Sequence, residues 1–277
     1  MKQNTGLSRN TVDKYYTNNN VVELCMNFII DNVFINKDND LIIEPSAGNG
    51  SFIPYIQNIS KHHLFYDIEP DNDIIIKQDF ISLLFHDIPY SNSYEKIHII
   101  GNPPFGRQSS LAIKFIKHAS QFCHSISFIL PKSFKKNSLK KHFPLSFHLV
   151  FEFDLPNNAF NVNNVTYDVP CVFQIWIKKN FDRDIPLKLL PKNYKFVKKD
   201  EDHDISFTRV GINAGFIDVD TNLKSSQSHY FIKFDKKPTC DIFNKLQNIQ
   251  YECKYNTVGP KSISKQELIK EFNDIIT

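Results

Sequence analysis

The sequence predicts an α/β fold built around a largely parallel sheet. Short apolar runs of strand length recur up to about Asn180, amphipathic helical segments separate several of them, and polar residues stand where the runs end. Strands that alternate with helices favour a parallel sheet, because each helix carries the chain back to the edge where the next strand starts. Ligands of such sheets bind beyond the carboxyl ends of the strands. We therefore expect a ligand site among the residues that end the strands.

The amino-terminal half of this domain contains two predicted helices and four predicted strands. Polar residues at Asn18–Asn20 precede apolar residues at helical spacing over Val21–Ile29, which indicates a capped helix. A short helix over Ser51–Gln57 follows the turn Pro45–Gly50. The predicted strands are Leu41–Glu44, His63–Asp67, Ile74–Gln78 and Lys96–Gly101.

The carboxyl-terminal half of the domain adds one helix and three strands. Within Leu111–Ser120, the apolar residues Leu111, Phe115 and Ala119 fall on one helical face. The asparagine-rich segment 157–164 is predicted to be a loop. The three strands, which bring the predicted total to seven, are Ser125–Leu130, Phe147–Phe153 and Val172–Ile177.

The sequence pattern changes after about Asn180, and we place a domain boundary there. Residues 1–180 form the predicted α/β domain, and residues 181–277 form a small α+β appendage with strand-like segments at 206–210 and 229–234. Helix-like segments follow at 240–248 and 264–276. The string Gly259–Lys265 has the residues of a turn and a helix start, and the sequence assigns it no task.

The composition limits the class of protein. The chain has 277 residues, 41% hydrophobic residues and a net charge of only +3, which suits a globular domain with a real core. Residues 1–20 lack a signal-peptide core and no apolar run has membrane-spanning length, so we expect an intracellular protein of the cytoplasm or nucleus. The five cysteines form no CxxC pair, and His62 and His63 have no partner pair at ligand spacing, so we expect no metal.

A cluster of lysines follows the fifth predicted strand. The segment Lys132–Lys141 holds five lysines and no acid. Such a cluster can neutralise the phosphates of a nucleic acid, and Lys132, Lys135 and Lys136 are the candidate contacts. A solvated surface segment explains the same run of charge equally well.

The first segment with chemical content is Glu44–Phe52, between a strand and a helix. It contains two of the eight glycines of the chain, which permit a tight turn and let backbone N–H groups approach a ligand closely. A glycine pair alone also fits an ordinary strand–helix turn. The string of a phosphate-binding P-loop does not occur in the sequence.

The second such segment is Gly101–Gly106, which again follows a strand. Its two consecutive prolines restrict the backbone and remove two N–H donors, so the loop offers carbonyl oxygens, the Asn102 amide and the Phe105 ring. This set is a poor general base but suits an NH₂ group, which needs two hydrogen-bond acceptors. A proline-rich turn with a packing phenylalanine is the alternative interpretation.

Together these segments resemble the S-adenosylmethionine-dependent N6-adenine methyltransferases, in particular the DNA enzymes with an N-P-P-[YF] tetrapeptide, here Asn102–Phe105. The resemblance covers roughly residues 13–178 and includes Asp13–Thr17, Phe65–Pro70, Gln78–Phe80 and Ile129–Pro131. It implies a Rossmann-like class I methyltransferase fold with a seven-stranded, mostly parallel sheet. It also implies S-adenosylmethionine as cofactor, adenine N6 of a nucleic acid as substrate, and 181–277 as a possible target-recognition region.

The resemblance also assigns roles to residues. The implied catalytic residues are Asn102, Pro103, Pro104 and Phe105. The implied cofactor contacts are Tyr16, Thr17, Glu44, Ser46, Ala47, Gly48, Asn49, Gly50, Asp67, Ile68, Asp79, Phe80 and Asn102. The implied substrate contacts are Phe105 and Gly106, with Phe160 as a second aromatic wall beside the base.

Three alternatives to a DNA substrate remain open. Phe105 replaces the frequent tyrosine and a glycine follows it, which also resembles ribosomal-RNA and cap adenine methyltransferases. Protein glutamine methyltransferases use the same kind of loop, because the glutamine amide is also an NH₂ group. They usually carry a helical amino-terminal domain, whereas only about 40 residues precede the first predicted strand here. The third alternative is a methyltransferase-like binding subunit without activity. The presence of Glu44, Asp67, Asp79 and Asn102 together argues against it.

Overall fold

The computed structural model describes residues 15–162 and 165–276. The chain forms two compact units, the first ending at Asp184 and the second beginning at Ile185. The predicted residues Asp13, Lys14, Asn163 and Asn164 lie outside the described ranges.

The first unit contains ten strands and four α-helices among its described residues. The strands are β1 Tyr16–Thr17, β2 Leu41–Glu44, β3 His62–Asp67, β4 Ile76–Lys77, β5 Ile97–Gly101, β6 Ser125–Pro131, β7 Phe147–Asp154, β8 Phe160–Val162, β9 Val165–Tyr167 and β10 Cys171–Lys178. The helices are α1 Asn19–Asn32, α2 Ile53–Ile59, α3 Ser110–Ala119 and α4 Asn137–Lys140.

Seven of these strands form one sheet in the order β4-β3-β2-β5-β6-β10-β7. The pairs that β10 makes with β6 and β7 are antiparallel, and the other pairs are parallel. Numbered within the sheet alone, the order is 3-2-1-4-5-7-6, so the expected Rossmann-like class I methyltransferase fold is confirmed. The buried, apolar character of the central strands β2, β5 and β6 follows from their having covered faces on both sides.

The position of the ligand crevice follows from this strand order. The sheet grows outward from β2 through β3 on one side and from β5 through β6 on the other, so the topological switch lies between β2 and β5. Ligands of doubly wound sheets bind at that switch, beyond the carboxyl ends of the strands. The turns that follow Glu44 and Gly101 therefore meet at one place.

A second, three-stranded sheet corrects the prediction of a loop over 157–164. Phe160–Val162 is strand β8, which pairs with β9 and also with the amino-terminal strand β1, through Thr17 and Phe160. The asparagines favour a loop by local propensity, but the pairing partner is distant in the sequence, so tertiary pairing decides the outcome. The predicted third strand is also shorter than expected, since only Ile76–Lys77 pairs with β3 at the sheet edge.

The second unit is α+β, as predicted for the appendage. Its strands are β11 Tyr194–Val197, β12 Ile205–Thr208, β13 Ile217–Asp218 and β14 His229–Phe234, and its helices are α5 Cys240–Gln247 and α6 Lys265–Ile275. The strands form an antiparallel sheet in the order β11-β14-β12-β13, of which β11 and β13 were not predicted. Apolar side chains of this sheet and of α6, including Phe207, Ile232 and Phe272, form a separate core.

Candidate active site

A cavity of about 630 Å³ lies at the carboxyl ends of the central strands of the first unit. Its size is that of a small-molecule site. It brings together most of the residues implied by the sequence, namely Tyr16, Thr17, Glu44, Ser46, Ala47, Gly48, Asn49, Asp67, Ile68, Asp79, Phe80, Asn102, Pro103, Pro104 and Phe105. It leaves out Gly50, Gly106, Phe160 and the lysines Lys132, Lys135 and Lys136.

The turn after β2 is held against the end of β3. The backbone N–H of Gly48 donates to Asp67 Oδ2 at 2.8 Å, and the N–H of Ala47 donates to the Tyr66 carbonyl at 2.9 Å. Gly48 has a φ of 54°, and a Cβ at this position would come within 3.2 Å of the Tyr16 ring. Both the backbone conformation and the close approach of β1 therefore disfavour a side chain at this position.

Asp67 ends β3 and has two structural tasks besides facing the cavity. Its Oδ2 accepts the Gly48 N–H, and its Oδ1 accepts the Glu69 N–H at 2.8 Å. Each carboxylate oxygen can accept a further hydrogen bond. Asp67 therefore fixes the glycine turn and keeps acceptor capacity for a hydroxyl-bearing ligand.

Glu44 lies beneath this turn and is nearly inaccessible to solvent, with 2% exposure. Burial, together with the nearby charge of Asp67, raises the pKa of Glu44 to about 8. Its Oε2 has no hydrogen-bond partner among the described residues. A nearby cation would stabilise the charged form of this buried carboxyl group and would lower its pKa toward the ordinary range.

The Asn102 side chain has a defined orientation in the loop after β5. Its Nδ2 donates to the Tyr15 carbonyl and to Thr17 Oγ1, each at 3.3 Å, while the main-chain oxygen of Asn102 accepts from Ser46 Oγ at 3.1 Å. The buried Oδ1 has no partner among the described residues. Since the side-chain nitrogen donates to Tyr15 and Thr17, the side-chain oxygen is left as a buried acceptor without a partner, in a residue that lines the cavity.

Gly106 lies in a tight turn after the tetrapeptide, and its contact with substrate stays a prediction. Its φ is 68°, and a Cβ would come within 3.0 Å of the Leu111 backbone nitrogen. The next residues Gln108 and Ser109 also have positive φ values, 53° and 62°. Positive φ is unfavourable for such residues and is often found beside functional sites, so the chain after the tetrapeptide is held in a strained turn.

The prediction that Phe160 forms an aromatic wall of the site is wrong. Phe160 is fully buried, and its ring lies behind that of Tyr15 at a centroid distance of 6.2 Å. Tyr15 lines the cavity instead and packs against Tyr167 at 5.4 Å. The sequence signal for Tyr15 was its place beside Tyr16, but the pairing of β1 with β8 that orients the two rings is a tertiary contact.

Sequence reasoning also missed part of the wall that α3 contributes. The first turns of α3 line the cavity with the side chains of Leu111, Lys114 and Phe115. The sequence places Leu111 and Phe115 on one helical face and assigns that face no role in a ligand site. The Phe115 ring packs on Phe80 at 5.4 Å, and both side chains line the cavity.

Tyr16 bridges the amino-terminal strand to the loop after β3. Its hydroxyl hydrogen-bonds the carboxylate of Asp71, and the Asp71 N–H donates to the Gly48 carbonyl at 3.1 Å. Burial and this acidic neighbour raise the pKa of Tyr16 to about 12, so the phenol remains neutral at physiological pH. The bridge holds β1 across one side of the cavity.

The lysine cluster has acidic partners that its sequence did not reveal. Lys132 and Lys135 both pair with Asp154, at 3.0 and 2.8 Å, and Lys140 pairs with Glu152 at 2.9 Å. The acids lie on β7, which follows the cluster in the chain and packs beside it. Much of the charge assigned to a polyanion is therefore balanced within the first unit.

The charge of the cavity wall favours a cation. Its lining includes four carboxyl groups, those of Glu44, Asp67, Glu69 and Asp79, and one ammonium group, that of Lys114. The acidic lining would repel a ligand with several phosphates, whereas a positively charged ligand complements it. Among the described residues, no group of three or more His, Cys, Asp or Glu side chains is placed to hold a metal ion.

No protein-family model matches this sequence, and a search of curated proteins found no significant match. Among solved structures, the chain is similar to a proposed RNA methyltransferase from Pyrococcus horikoshii, with 13% identity and a TM-score of 0.43 over 62% of this chain and 91% of the other. It is also similar to an rRNA methylase from Streptococcus thermophilus, with 14% identity and a TM-score of 0.39 over 57% and 95% of the two chains.

A third similar structure is the magnesium protoporphyrin IX methyltransferase of Synechocystis with S-adenosylmethionine bound, at 10% identity and a TM-score of 0.39 over 58% and 79% of the two chains. The fold assignment itself rests on the strand order and directions of the central sheet. Over the part of the chain that the structure describes, no helix combines the length and apolarity needed to cross a membrane.

Proposed function

We propose that this protein is an S-adenosylmethionine-dependent methyltransferase that acts on the exocyclic amino nitrogen of adenine in a nucleic acid, with DNA favoured. The observation that carries the proposal is the free acceptor oxygen of Asn102, buried at an acidic cavity on the switch point of a class I methyltransferase sheet. A buried acceptor without a donor is unfavourable, so the loop is suited to a ligand that supplies one.

The cavity residues fit a cationic nucleoside such as S-adenosylmethionine. The carboxyl group of Glu44 lies unpaired below the glycine turn and suits the positive end of the cofactor. Asp67 has acceptor capacity for ribose hydroxyls, with Glu69 beside it. Ile68, Phe80 and Asp79 would hold the adenine between apolar side chains and a hydrogen-bonding carboxylate.

The mechanism follows from the acceptors of the tetrapeptide. S-adenosylmethionine, when bound, supplies a methyl group on a sulfonium. The lone pair of the adenine amino nitrogen is delocalised into the ring, which makes that nitrogen a weak nucleophile. Asn102 Oδ1 and the Pro103 carbonyl would accept its two hydrogens and favour a pyramidal nitrogen, while the Phe105 ring stacks on the base. Catalysis then depends on positioning and on fixed dipoles, without a strong base.

The experiment is transfer of a radiolabelled methyl group from S-adenosylmethionine to separate DNA, RNA and protein pools, followed by nucleoside and amino-acid hydrolysis. Label in N6-methyladenine supports the proposal, and the DNA and RNA pools distinguish its two forms. Label in N-methylglutamine would overturn it in favour of a protein substrate. No label in any pool, from a protein that binds the cofactor, would indicate a binding subunit.

Asn102→Ala should abolish this transfer while cofactor affinity stays within a few-fold of the original, because the lost oxygen belongs to the tetrapeptide and not to the glycine turn. Calorimetry with S-adenosylmethionine and a single-turnover transfer assay separate the two effects. Asn58→Ala, at an exposed amide on α2, is the matched control and should retain both properties. Loss of cofactor binding in a folded Asn102→Ala protein would contradict the assigned role.

A further inference from the structure

The second unit presents a face on which cations alternate with aromatic rings. We name it the basic–aromatic face and define it by Phe196, Arg209, Tyr230, Lys254, Tyr255, Lys261 and Lys265. The distances from cation to ring centroid are 5.1 Å for Arg209 over Tyr230, 4.6 and 5.6 Å for Lys265 over Phe196 and Tyr230, and 5.4 and 4.9 Å for Lys254 and Lys261 over Tyr255.

Backbone hydrogen bonds bring together the chain segments that carry these side chains. The Ile263 N–H donates to the Arg209 carbonyl at 2.8 Å, and the Ser262 N–H donates to the Lys254 carbonyl at 3.1 Å. Lys261 is tied to the same segment, since its carbonyl accepts the Gly211 N–H at 2.9 Å. The string Gly259–Lys265, to which the sequence assigned no task, is therefore hydrogen-bonded to the segments that carry Arg209 and Lys254.

The four cations of this face have no ion-pair partner among the described residues, a condition they share with other lysines of the same unit such as Lys195 and Lys236. Lys224, Lys233 and Lys245 each pair with an aspartate. Two carboxylates lie two residues from a lysine of the face, Glu252 from Lys254 and Glu267 from Lys265. Glu267 accepts the Ser264 N–H at 2.7 Å in the amino-terminal cap of α6. Unpaired cations that share a surface repel one another, so the face favours a polyanion.

The aromatic rings narrow the kind of polyanion. Phosphates need only cations, whereas bases of a single strand need ring faces on which to stack, and proteins that bind single strands combine both. The Tyr255 side chain is 47% exposed, and lysine side chains that now lie over its ring can turn to phosphates and uncover it. Phe196 and Tyr230 also pack against the core of the second unit, so the exposed ring of Tyr255 is the one offered to a base.

We propose that the basic–aromatic face binds a single-stranded segment of nucleic acid, with Lys254, Lys261, Lys265 and Arg209 on phosphates and Tyr255 stacked on a base. The choice of a nucleic acid among polyanions rests on the proposed function of the first unit. The surface itself lies wholly within the second unit, so its binding can be measured without methyl transfer.

The test measures binding of the full-length protein to a fluorescein-labelled 16-nucleotide oligo(dT) or oligo(rU) by anisotropy, without cofactor and over a range of salt. The triple variant Lys254→Gln, Lys261→Gln, Lys265→Gln should weaken binding at least tenfold. Its log–log salt slope should fall by about 0.7 for each lost phosphate contact. Lys245→Gln, which removes a paired lysine of the same unit, is the matched control and should change neither quantity.

Tyr255→Leu separates stacking from charge. It should weaken single-strand binding at least about fivefold, which corresponds to the loss of one base–aromatic stack of about 1 kcal/mol. Binding to heparin, a polyanion without bases, should stay unchanged in this variant. An unaltered oligonucleotide affinity in the triple variant would overturn the proposal, and so would a Tyr255→Leu protein that binds strands normally, since the face would then be a general polyanion surface.

Failure of this inference and failure of the proposed function give different results. Asn58→Ala, at the exposed amide of α2, should bind the oligonucleotides normally, since it alters only the first unit. Strand binding that depends on the face, from a protein that methylates no nucleic acid, would contradict the methyltransferase proposal alone. Methylation of nucleic acid that survives unchanged in the triple variant at low substrate concentration would contradict the face alone. Circular dichroism of each variant checks that the second unit remains folded.

Discussion

At the scale of single residues, the proposed chemistry depends mainly on the orientation of the Asn102 amide. An asparagine amide has two donors and one acceptor, and which side meets a ligand depends on what holds the other side. Here Tyr15 and Thr17 occupy the donor side of Asn102, and the acceptor side remains available. Thr17 is therefore a positioning residue for Asn102 as well as part of the cavity wall.

Thr17→Val should lower kcat for methyl transfer by roughly threefold to tenfold with little change in substrate KM, because one hydrogen bond that orients Asn102 is worth about 0.5–1.5 kcal/mol. Thr17→Ser keeps the hydroxyl and should restore kcat. Steady-state kinetics on the substrate found in the transfer assay provide the measurement. A Thr17→Val enzyme with unchanged kcat, or a serine variant that rescues nothing, would show that the hydroxyl does not orient the amide.

The buried Glu44 should make stability depend on pH in an unusual direction for an acid. Its folded-state pKa of about 8 lies above the unfolded value, so the folded protein holds a proton that the unfolded chain has released. Stability from this group is therefore fully present below the unfolded pKa and is lost as pH rises toward 8. Glu44→Gln should raise Tm at pH 8 by several degrees more than at pH 5, measured by calorimetry without cofactor. An equal shift at both pH values would contradict the raised pKa.

At the scale of elements, the site depends on contacts between the ends of strands and short pieces of distant chain. Asp67 ties the end of β3 to the glycine turn after β2, while β1 lies across the cavity through its pairing with β8 and the Tyr16–Asp71 hydrogen bond. The sheet provides the positions, and these connections set the orientations of the side chains.

Asp67→Ala should weaken S-adenosylmethionine binding by about 1.5–3 kcal/mol, the range for hydrogen bonds to a charged group. The variant should also lose thermal stability, because the backbone N–H groups of Gly48 and Glu69 lose their acceptor. Asp67→Asn keeps one oxygen acceptor, so its cofactor affinity and thermal stability should lie between those of the original protein and of Asp67→Ala. Calorimetric titration and a melting curve test both parts, and an unchanged dissociation constant would move the ribose contact to Glu69.

At the scale of the whole molecule, a net charge of only +3 conceals a separation of charge between local surfaces. The cavity of the first unit is lined by four carboxyl groups and one ammonium group, while the second unit has a face with four unpaired cations. The lysine run at 132–141, the most basic segment by sequence, is largely paired with acids of β7. Total charge therefore says little about where a polyanion binds.

Changing Lys135, Lys136, Lys140 and Lys141 to Gln should raise the KM for nucleic acid less than the triple variant of the basic–aromatic face does. Two of these lysines, Lys135 and Lys140, already pair with Asp154 and Glu152. They therefore contribute less to the counterion release that accompanies nucleic-acid binding, and their removal should change the salt slope less. The same substitutions should lower Tm slightly, since surface ion pairs contribute about 0–1 kcal/mol each. Parallel salt titrations compare the two variants. A larger change of salt slope in the quadruple variant would return the strand-binding surface to this cluster.

The sequence alone was sufficient for the elements that depend on local pattern. Apolar runs placed the strands of the large sheet within a few residues, with the third strand the exception, because a two-residue edge strand is set by its neighbour and not by its own composition. The chemical type of Asn102–Phe105 could also be stated, since two prolines leave a loop of acceptors whatever surrounds it.

What only the tertiary structure decided was which partner each side chain meets. No local pattern shows that β8 pairs with β1, and that pairing buries Phe160 and puts Tyr15 on the cavity wall. Nor does spacing show that acids of β7 neutralise the lysine cluster, or that the Ile263 N–H donates to the Arg209 carbonyl. Chain order determines which residues can form an element, but the sheet brings together residues that are far apart in the chain. The interactions that orient an amide, shift a pKa or leave a cation unpaired act over a few ångströms of space, so they depend on that folding and not on sequence separation.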